Sequence, residues 1–122
     1  MSLWCAFDEK AIPHLVNQGY TVLVDVTADW CVTCAVNKKL VFETPQVTQL
    51  LTQPDVIAMR ADWTKQNPTI TEFLQDNKRF GIPFNIVFGP SAPKGIPLPE
   101  ILTVNQVTTA IKQARGIVTP SE

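Results

Sequence analysis

The sequence predicts an α/β domain with a central, mixed, mostly parallel sheet, an antiparallel edge and helices on both faces. Two observations support this. Apolar, β-branched runs that fit buried strands alternate with segments of helical spacing, as in a sheet covered on both faces. Late in the chain, two strands follow each other through a loop, which predicts the antiparallel edge. The 122 residues suffice for one domain with its own core.

The first half of the chain contains a helix, a buried strand and two further helices. Helical spacing of apolar residues predicts a helix from about Asp8 to Asn17, weakened or kinked by Pro13. Thr21 to Thr27 is apolar and β-branched on both faces, which is typical of a strand inside a sheet. A helix is expected from Cys31 to Phe42. Thr44-Pro45 then predicts a capped start for another short helix.

The second half contains three more strands and two helices. The predicted strands are Val56 to Ala61, Phe84 to Phe88 and, after an irregular proline-rich connection, an edge strand from Pro99 to Leu102. Asn67-Pro68 repeats the signal for a capped helix start. Thr103 and Gln106 have the spacing of a capping box, and the helix they begin should end near Gly116.

The net charge and the short apolar runs argue against some classes of function. A net charge of -1 gives no electrostatic argument for binding nucleic acid. The longest apolar run, Val22-Leu23-Val24, is far shorter than the roughly 20 residues of a membrane span. No signal peptide is visible, and residues 1–3 resemble a cloning remnant. We expect residues 1–122 to form one monomeric domain, with a loose tail over 117–122, cut from a larger protein.

Two of the three cysteines, Cys31 and Cys34, have C-x-x-C spacing at a strand-to-helix junction. A disulfide between them closes a very short loop and therefore stabilises the fold little. This favours a bond that opens and closes, that is, a redox dithiol. Asp25 lies within the preceding strand, where a carboxylate is costly unless it is protonated, paired or useful. The alternative is that Asp25 lies at the strand edge and is solvated.

These segments resemble a known family. Val24 to Cys34 resembles the thioredoxin active-site segment, and Gly81-Ile82-Pro83 is similar to the thioredoxin cis-proline loop. The chain is more similar still to the C-terminal periplasmic domains of DsbD-type thiol:disulfide interchange proteins and of related cytochrome c biogenesis and copper-sensitivity-suppressor membrane proteins. That similarity rests on Ala28 to Cys34, Asn37, Phe42, Arg60 to Thr64 and Gly81 to Pro83. It spans roughly Trp4 to Arg115 and implies a thioredoxin fold.

The resemblance implies a role for each residue of the site. Cys31 would be the exposed nucleophile, with its thiolate stabilised by the helix N-terminus. Cys34 would be the more buried thiol that resolves mixed disulfides, and Asp25 would accept its proton. Pro83 would be cis and lie against the disulfide, which leaves the Ile82 backbone free to pair with a partner.

Trp30 and Phe84 are the remaining candidates for partner contact. Trp30 would flank the cysteines as an apolar surface, whereas Phe84, beside the proline, serves either in partner contact or in packing. Three departures from the family concern tuning: Phe84 replaces the usual threonine of thioredoxins, Lys38 stands where some DsbD domains have glutamate, and Val32-Thr33 replaces Gly-Pro.

The resemblance implies a protein-disulfide reductase domain at the periplasmic face of the bacterial inner membrane. It would take two electrons from a membrane-embedded dithiol of the same parent protein and pass them to an oxidised periplasmic protein. The Cys31–Cys34 disulfide would be the only redox centre, without metal, flavin or nucleotide.

Three alternatives remain open from the residues. Cys5 and His14 could complete a zinc site with Cys31 and Cys34, although one C-x-x-C is weak support. Otherwise Cys5 is a spare thiol and His14 a surface or packing residue. A free-standing cytosolic thioredoxin is disfavoured by the missing Gly-Pro and the additional segment around Trp4. A binding module without turnover is disfavoured because both cysteines are present.

Overall fold

A five-stranded mixed sheet forms the centre of the structure, a computed structural model that describes residues 3–116. The strands are β1 (Trp4–Ala6), β2 (Thr21–Thr27), β3 (Val56–Asp62), β4 (Phe84–Gly89) and β5 (Ala92–Pro97). Their spatial order is β1-β3-β2-β4-β5. β3 pairs in parallel with β1 and β2, whereas β4 is antiparallel to β2 and β5 to β4. The predicted fold class is therefore confirmed.

Five α-helices cover the two faces of the sheet. They are α1 (Ala11–Asn17), α2 (Val32–Asn37), α3 (Pro45–Leu51), α4 (Pro68–Asp76) and α5 (Val104–Arg115). A π-helical segment, Lys38–Phe42, continues α2. The predicted caps are confirmed, because Thr44, Asn67 and Thr103 each accept a hydrogen bond from the first turn of their helix. The last helix ends, as predicted, at Gly116 in the left-handed conformation.

The core divides into two apolar layers, one on each face of the sheet. Leu23 and Val87 pack beneath α3 and α5, whereas Val24 and Ile86 pack on the opposite face beneath α1 and α4. Strand residues alternate between the two faces. Asp25, two residues after Leu23, therefore lies on the α5 face of the sheet.

Two predicted boundaries were wrong. α1 begins at Ala11 and not at Asp8, because residues 8–10 form a turn in which the Asp8 carbonyl accepts from Ala11 N–H at 3.2 Å. Pro13 therefore lies in the first turn, where its missing N–H costs no helical hydrogen bond. The edge strand is Ala92–Pro97 and not Pro99 to Leu102. Pro93 and Pro97 lie within this edge strand, where proline is tolerated, so these two prolines do not mark an irregular connection.

The structure also contains a strand that the sequence did not predict. β1 has only three residues and pairs Trp4 with Ala58 and Ala6 with Arg60. The Arg60 guanidinium lies over the Trp4 ring, 4.1 Å from its centroid. No helix between residues 3 and 116 is both long and apolar enough to cross a membrane. The predicted tail over 117–122 lies outside the described residues.

Candidate functional site: a disulfide above a buried carboxyl group

The two cysteines form a disulfide where β2 passes into α2, with their Cα atoms 5.2 Å apart. Cys31 is the N-cap of α2, and its Sγ accepts a hydrogen bond from the Cys34 backbone N–H at 3.2 Å. A helix N-terminus stabilises negative charge on a sulfur. The helix start therefore favours the thiolate of Cys31 once the disulfide opens.

The expected difference in exposure between the two cysteines is absent in this disulfide form. Cys31 is 7% exposed and Cys34 is 6% exposed. Both pack in one small apolar cluster with Ala28 and the partly buried Ile82. This packing explains why Cys31 is more enclosed than predicted.

The loop beside the disulfide contains the predicted cis proline. The peptide bond between Ile82 and Pro83 is cis. Pro83 is buried, whereas Ile82 is partly exposed and contacts the cysteine cluster. The structure therefore places Ile82 against Cys31 and Cys34, whereas the sequence had placed Pro83 against the disulfide.

Asp25 lies deep in the sheet and is 6% exposed, so it is not solvated at a strand edge. Its two cross-strand neighbours are Arg60 on β3 and Asn85 on β4. Asn85 Nδ2 donates to Asp25 Oδ1 at 2.7 Å, and Arg60 Nε lies 3.5 Å from Asp25 Oδ2. The carboxyl group is therefore bound from both sides.

The surroundings of Asp25 raise its pKa. Burial is the largest cause, because it disfavours the charged form, and it outweighs the hydrogen bond from Asn85 and the positive charge of Arg60. A carboxyl group with a raised pKa can take up a proton more readily than one in water. Such a group in a cleft is a candidate for proton transfer.

A cavity of about 250 Å³ connects this carboxyl group with the disulfide. Its wall includes Asp25, Cys34, Lys38, Arg60 and Asp62. The wall carries several polar groups, and the volume exceeds what a single water needs. The cavity is therefore large and polar enough to hold water between Cys34 and Asp25.

Trp30 directly precedes Cys31 and is held in place by Thr64. Its side chain is 58% exposed, and its Nε1 donates to the Thr64 carbonyl at 3.1 Å. Thr64 Oγ1 also accepts from the Asp29 N–H at 2.9 Å. Trp63, whose Nε1 donates to Thr71 Oγ1, packs within the structure. Trp30 therefore presents a fixed apolar surface to solvent.

Of the two roles considered for Phe84, partner contact and packing, the structure favours packing. Its side chain is 1% exposed and lies 6.1 Å from the Phe73 ring and 5.0 Å from the Arg79 guanidinium. The residue after Pro83 points into the core beneath α4, so packing is its role in this structure.

Sequence reasoning gave no role to the two residues that bind Asp25. Arg60 belonged to the segment that carried the family resemblance, and Asn85 is the polar residue in the apolar strand Phe84–Gly89. A polar amide residue in an otherwise apolar strand indicates that a buried polar partner lies nearby. Its partner, however, becomes known only from the pairing of the strands.

The structure does not assemble the alternative zinc site. No group of three or more histidine, cysteine, aspartate or glutamate residues within 3–116 is placed to hold a metal ion. Cys5 is a free, exposed thiol on β1, and His14 is exposed on α1. Cys31 and Cys34 are bonded to each other.

Comparison with known proteins agrees with this geometry. The model of a family described as thioredoxin-like matches residues 4–90. The chain belongs to the thioredoxin-like family. Among solved structures similar to this thioredoxin-like chain is the oxidised C-terminal domain of DsbD from Neisseria meningitidis. That structure has a TM-score of 0.69 and 19% identity, over 90% of this chain and 99% of that one. A thioredoxin from Thermus thermophilus gives a TM-score of 0.67 and 18% identity, over 90% and 84%.

Relatives with closer sequences carry the name thiol:disulfide interchange protein DsbD. The one from Pseudomonas fluorescens is 42% identical over 82 residues, which cover 67% of this thioredoxin-like chain and 14% of the relative. DsbD 1 from Pseudomonas aeruginosa is 33% identical over 102 residues, covering 84% of this chain and 16% of the relative. The chain thus spans only about one seventh of their length, and the DsbD resemblance is confirmed for that part.

Proposed function

We propose that this chain is the thiol–disulfide exchange domain of a protein-disulfide reductase. The observation that carries the proposal is the Cys31–Cys34 disulfide at the start of α2, with Cys31 Sγ accepting the Cys34 N–H. Asp25 and Cys34 line one cavity, which supplies a proton acceptor for the thiol. In this proposal the dithiol works without metal, flavin or nucleotide.

The reaction consists of two exchanges. The Cys31 thiol first gives its proton to solvent, and its thiolate attacks one sulfur of the partner disulfide. The other partner sulfur leaves as a thiolate and takes up a proton from solvent. Cys34 then loses its proton to Asp25 and attacks the Cys31 sulfur of the mixed disulfide. The Cys31–Cys34 bond forms, and the second partner sulfur leaves and takes the proton. Two electrons and two protons pass to the partner.

The partner binds, in this proposal, on the surface around the disulfide. Trp30 offers exposed apolar area next to Cys31, and the partly exposed Ile82 packs against the cysteine cluster. The Ile82 backbone would pair with an extended segment of the partner, as in strand addition to an exposed edge.

We infer the source and the destination of the electrons from the resemblance to DsbD. Proteins named DsbD are thiol:disulfide interchange proteins about seven times longer than the matched segment. We propose that this chain is one domain of such a membrane protein, at the periplasmic face of the bacterial inner membrane. A membrane-embedded dithiol of the same parent would reduce Cys31–Cys34, and an oxidised periplasmic protein would receive the electrons.

Two cysteine variants test the function. Cys31→Ser removes the attacking sulfur, so reduction of a model protein disulfide should stop. Cys34→Ser removes the resolving sulfur, so covalent mixed disulfides with the substrate should accumulate and be visible on a non-reducing gel. Cys5→Ser, which changes an exposed thiol on β1, is the control and should reduce the substrate at the normal rate. Full activity of Cys31→Ser would refute the assignment.

A further inference from the structure

Asn85 is a buried amide placed directly on the carboxyl group of Asp25. It is 1% exposed and is the cross-strand neighbour of Asp25 in the antiparallel pairing of β2 with β4. Its Nδ2 donates to Asp25 Oδ1 at 2.7 Å. Its own Oδ1 is buried and has no hydrogen-bond partner among residues 3–116. The amide oxygen is therefore an unsatisfied acceptor inside the sheet.

The two protonation states of Asp25 need different partners. A carboxylate only accepts hydrogen bonds, whereas a neutral carboxyl group also donates one. Arg60 and Lys38 can only donate, so neither can accept the hydrogen bond that the neutral carboxyl group offers. The remaining ionisable groups around the cavity are Asp29, Asp62 and Cys34, while the inward residues of α5 are apolar. Among these neighbours, the amide of Asn85 combines a strong donor with a strong acceptor.

We propose that Asn85 is a positioning residue that keeps Asp25 hydrogen-bonded in both protonation states. In the observed arrangement its Nδ2 donates to the ionised carboxylate. After a half-turn of the amide, its Oδ1 accepts from the protonated carboxyl group. Either arrangement keeps one hydrogen bond and leaves one amide atom without a partner. The proposal rests on the proposed role of Asp25 as proton acceptor.

The half-turn of the Asn85 amide allows Asp25 to change its protonation state in place. Asp25 can gain and lose a proton without leaving its buried position, because the same neighbour binds both forms. Hydrogen bonds to an ionised group are roughly twice as strong as those between neutral groups. Loss of Asn85 therefore harms the carboxylate more than the neutral form, and the midpoint at which Asp25 titrates should rise.

The experiment measures that midpoint with two Asn85 variants of the chain of residues 1–122. Asn85→Leu removes donor and acceptor, whereas Asn85→Thr keeps a hydroxyl group that can serve as either. The pH titration of the Asp25 carboxyl carbon is followed by NMR in the oxidised protein. The rate at which Cys34 resolves a mixed disulfide is followed over the same pH range.

The proposal expects both midpoints to rise together by about one pH unit in Asn85→Leu, which is a tenfold change in the proton equilibrium. Asn85→Thr should return them toward the wild-type values. Thr21→Val is the matched control, because it removes another buried, unpartnered polar atom from the sheet. It should leave both midpoints unchanged. An unchanged Asp25 midpoint in Asn85→Leu would overturn the proposal.

A measurement on the wild type covers the case in which Asn85→Leu does not fold. The Asn85 side-chain amide protons should titrate with the same midpoint as Asp25, because the hydrogen bond from Nδ2 is given up on protonation. Amide signals that stay constant through the Asp25 midpoint would overturn the proposal. Failure of the proton step itself is separate, since Asp25→Asn would then resolve mixed disulfides at the wild-type rate.

Discussion

Arg60 and Asp25 are direct neighbours in the parallel pairing of β3 with β2, with Arg60 Nε 3.5 Å from Asp25 Oδ2. Asn85 takes the equivalent place on the other side, so three strands contribute one residue each to a single row. The row binds the carboxyl group but does not offset its burial, because the pKa of Asp25 remains raised. The fold thus retains an ionisable group at a cost in stability.

Asp25→Asn should stabilise the folded protein at neutral pH. The folded-state pKa of Asp25 is raised by burial above the unfolded value of 3.8. The folded protein therefore holds this proton more tightly, and the associated stability is lost as the pH rises through the folded-state pKa. Asparagine has no proton to lose. Each unit of difference between the two pKa values corresponds to about 1.4 kcal/mol in the free energy of unfolding. Urea unfolding should therefore show that the free energy of unfolding of the variant increases relative to that of wild type from pH 4 to pH 8.

Asp62→Asn is a control for which the change in stability at neutral pH should have the opposite sign. Hydrogen bonds from Thr64 hold the pKa of Asp62 below its ordinary value. The stability that Asp62 contributes is present above the unfolded pKa and is lost as the pH falls through the folded-state pKa. This variant should lose stability at neutral pH and match wild type in acid. If the difference between Asp25→Asn and wild type did not change with pH, burial would not be what raises the pKa of Asp25.

The parts of the fold that the sequence predicted are those with local signals. The caps at Thr44, Asn67 and Thr103 depend on residues within one turn, and each was placed correctly. β1 was missed because three residues show no periodicity and the strand exists only through its pairing with β3. The edge strand was misplaced because Pro93 was interpreted as part of an irregular connection. Proline is tolerated in a strand that has a neighbour on one side only, and the sequence does not show which strand that is.

The residues of the site also fall into two groups, those with a local sequence signal and those that depend on strand pairing. The spacing of Cys31 and Cys34 is local, so the dithiol was predicted from the sequence. Arg60 and Asn85 meet Asp25 only through the register of β3 and β4 with β2, which the sequence does not specify. The enclosure of Cys31 by the Ile82 loop likewise depends on a distant segment.

Asn37→Ala should destabilise the connection between α2 and the segment that leads into α5. Asn37 is 3% exposed, its Nδ2 donates to the Glu100 carbonyl at 2.8 Å, and its Oδ1 accepts from Leu102 N–H at 3.1 Å. Truncation leaves two backbone groups without partners, which costs about 1–3 kcal/mol. Urea unfolding measures the loss. Asn105→Ala, on the exposed face of α5, should stay within about 0.5 kcal/mol of wild type; equal losses in both variants would contradict the bridging role of Asn37.

Arg115→Met should weaken the attachment of the end of α5. Arg115 donates from Nε and from a terminal nitrogen to the two carboxylate oxygens of Asp55, at 3.0 and 2.8 Å. Paired contacts of this kind are stronger than single ones, but both groups are partly exposed, so we expect a loss of about 0.5–1 kcal/mol. Lys112→Met, on the same helix, is the control for removal of a positive charge.

The loss in Arg115→Met should depend on pH. The hydrogen bonds from Arg115 lower the pKa of Asp55, so the stability they supply is present above the unfolded pKa and disappears as the pH falls through the lowered value. Thermal unfolding at pH 7 and at pH 2 checks this. A difference between variant and wild type that is as large in acid as at neutral pH would show that Arg115 acts by packing.

Trp30→Ala should slow reduction of a protein disulfide but not that of a small one. The indole is 58% exposed beside Cys31 and is held by the Thr64 carbonyl, so it offers a partner a preformed apolar contact. Loss of one such contact is worth about a tenfold fall in kcat/KM. A small aromatic disulfide reaches the sulfur without that surface, and its rate should stay within about twofold of wild type, which corresponds to under about 0.5 kcal/mol. Leu40→Ala is the control, because its side chain is similarly exposed but lies roughly 13 Å along the helix from Cys31. Equal slowing of both substrates by Trp30→Ala would mean that the indole acts on the dithiol itself and not on the partner.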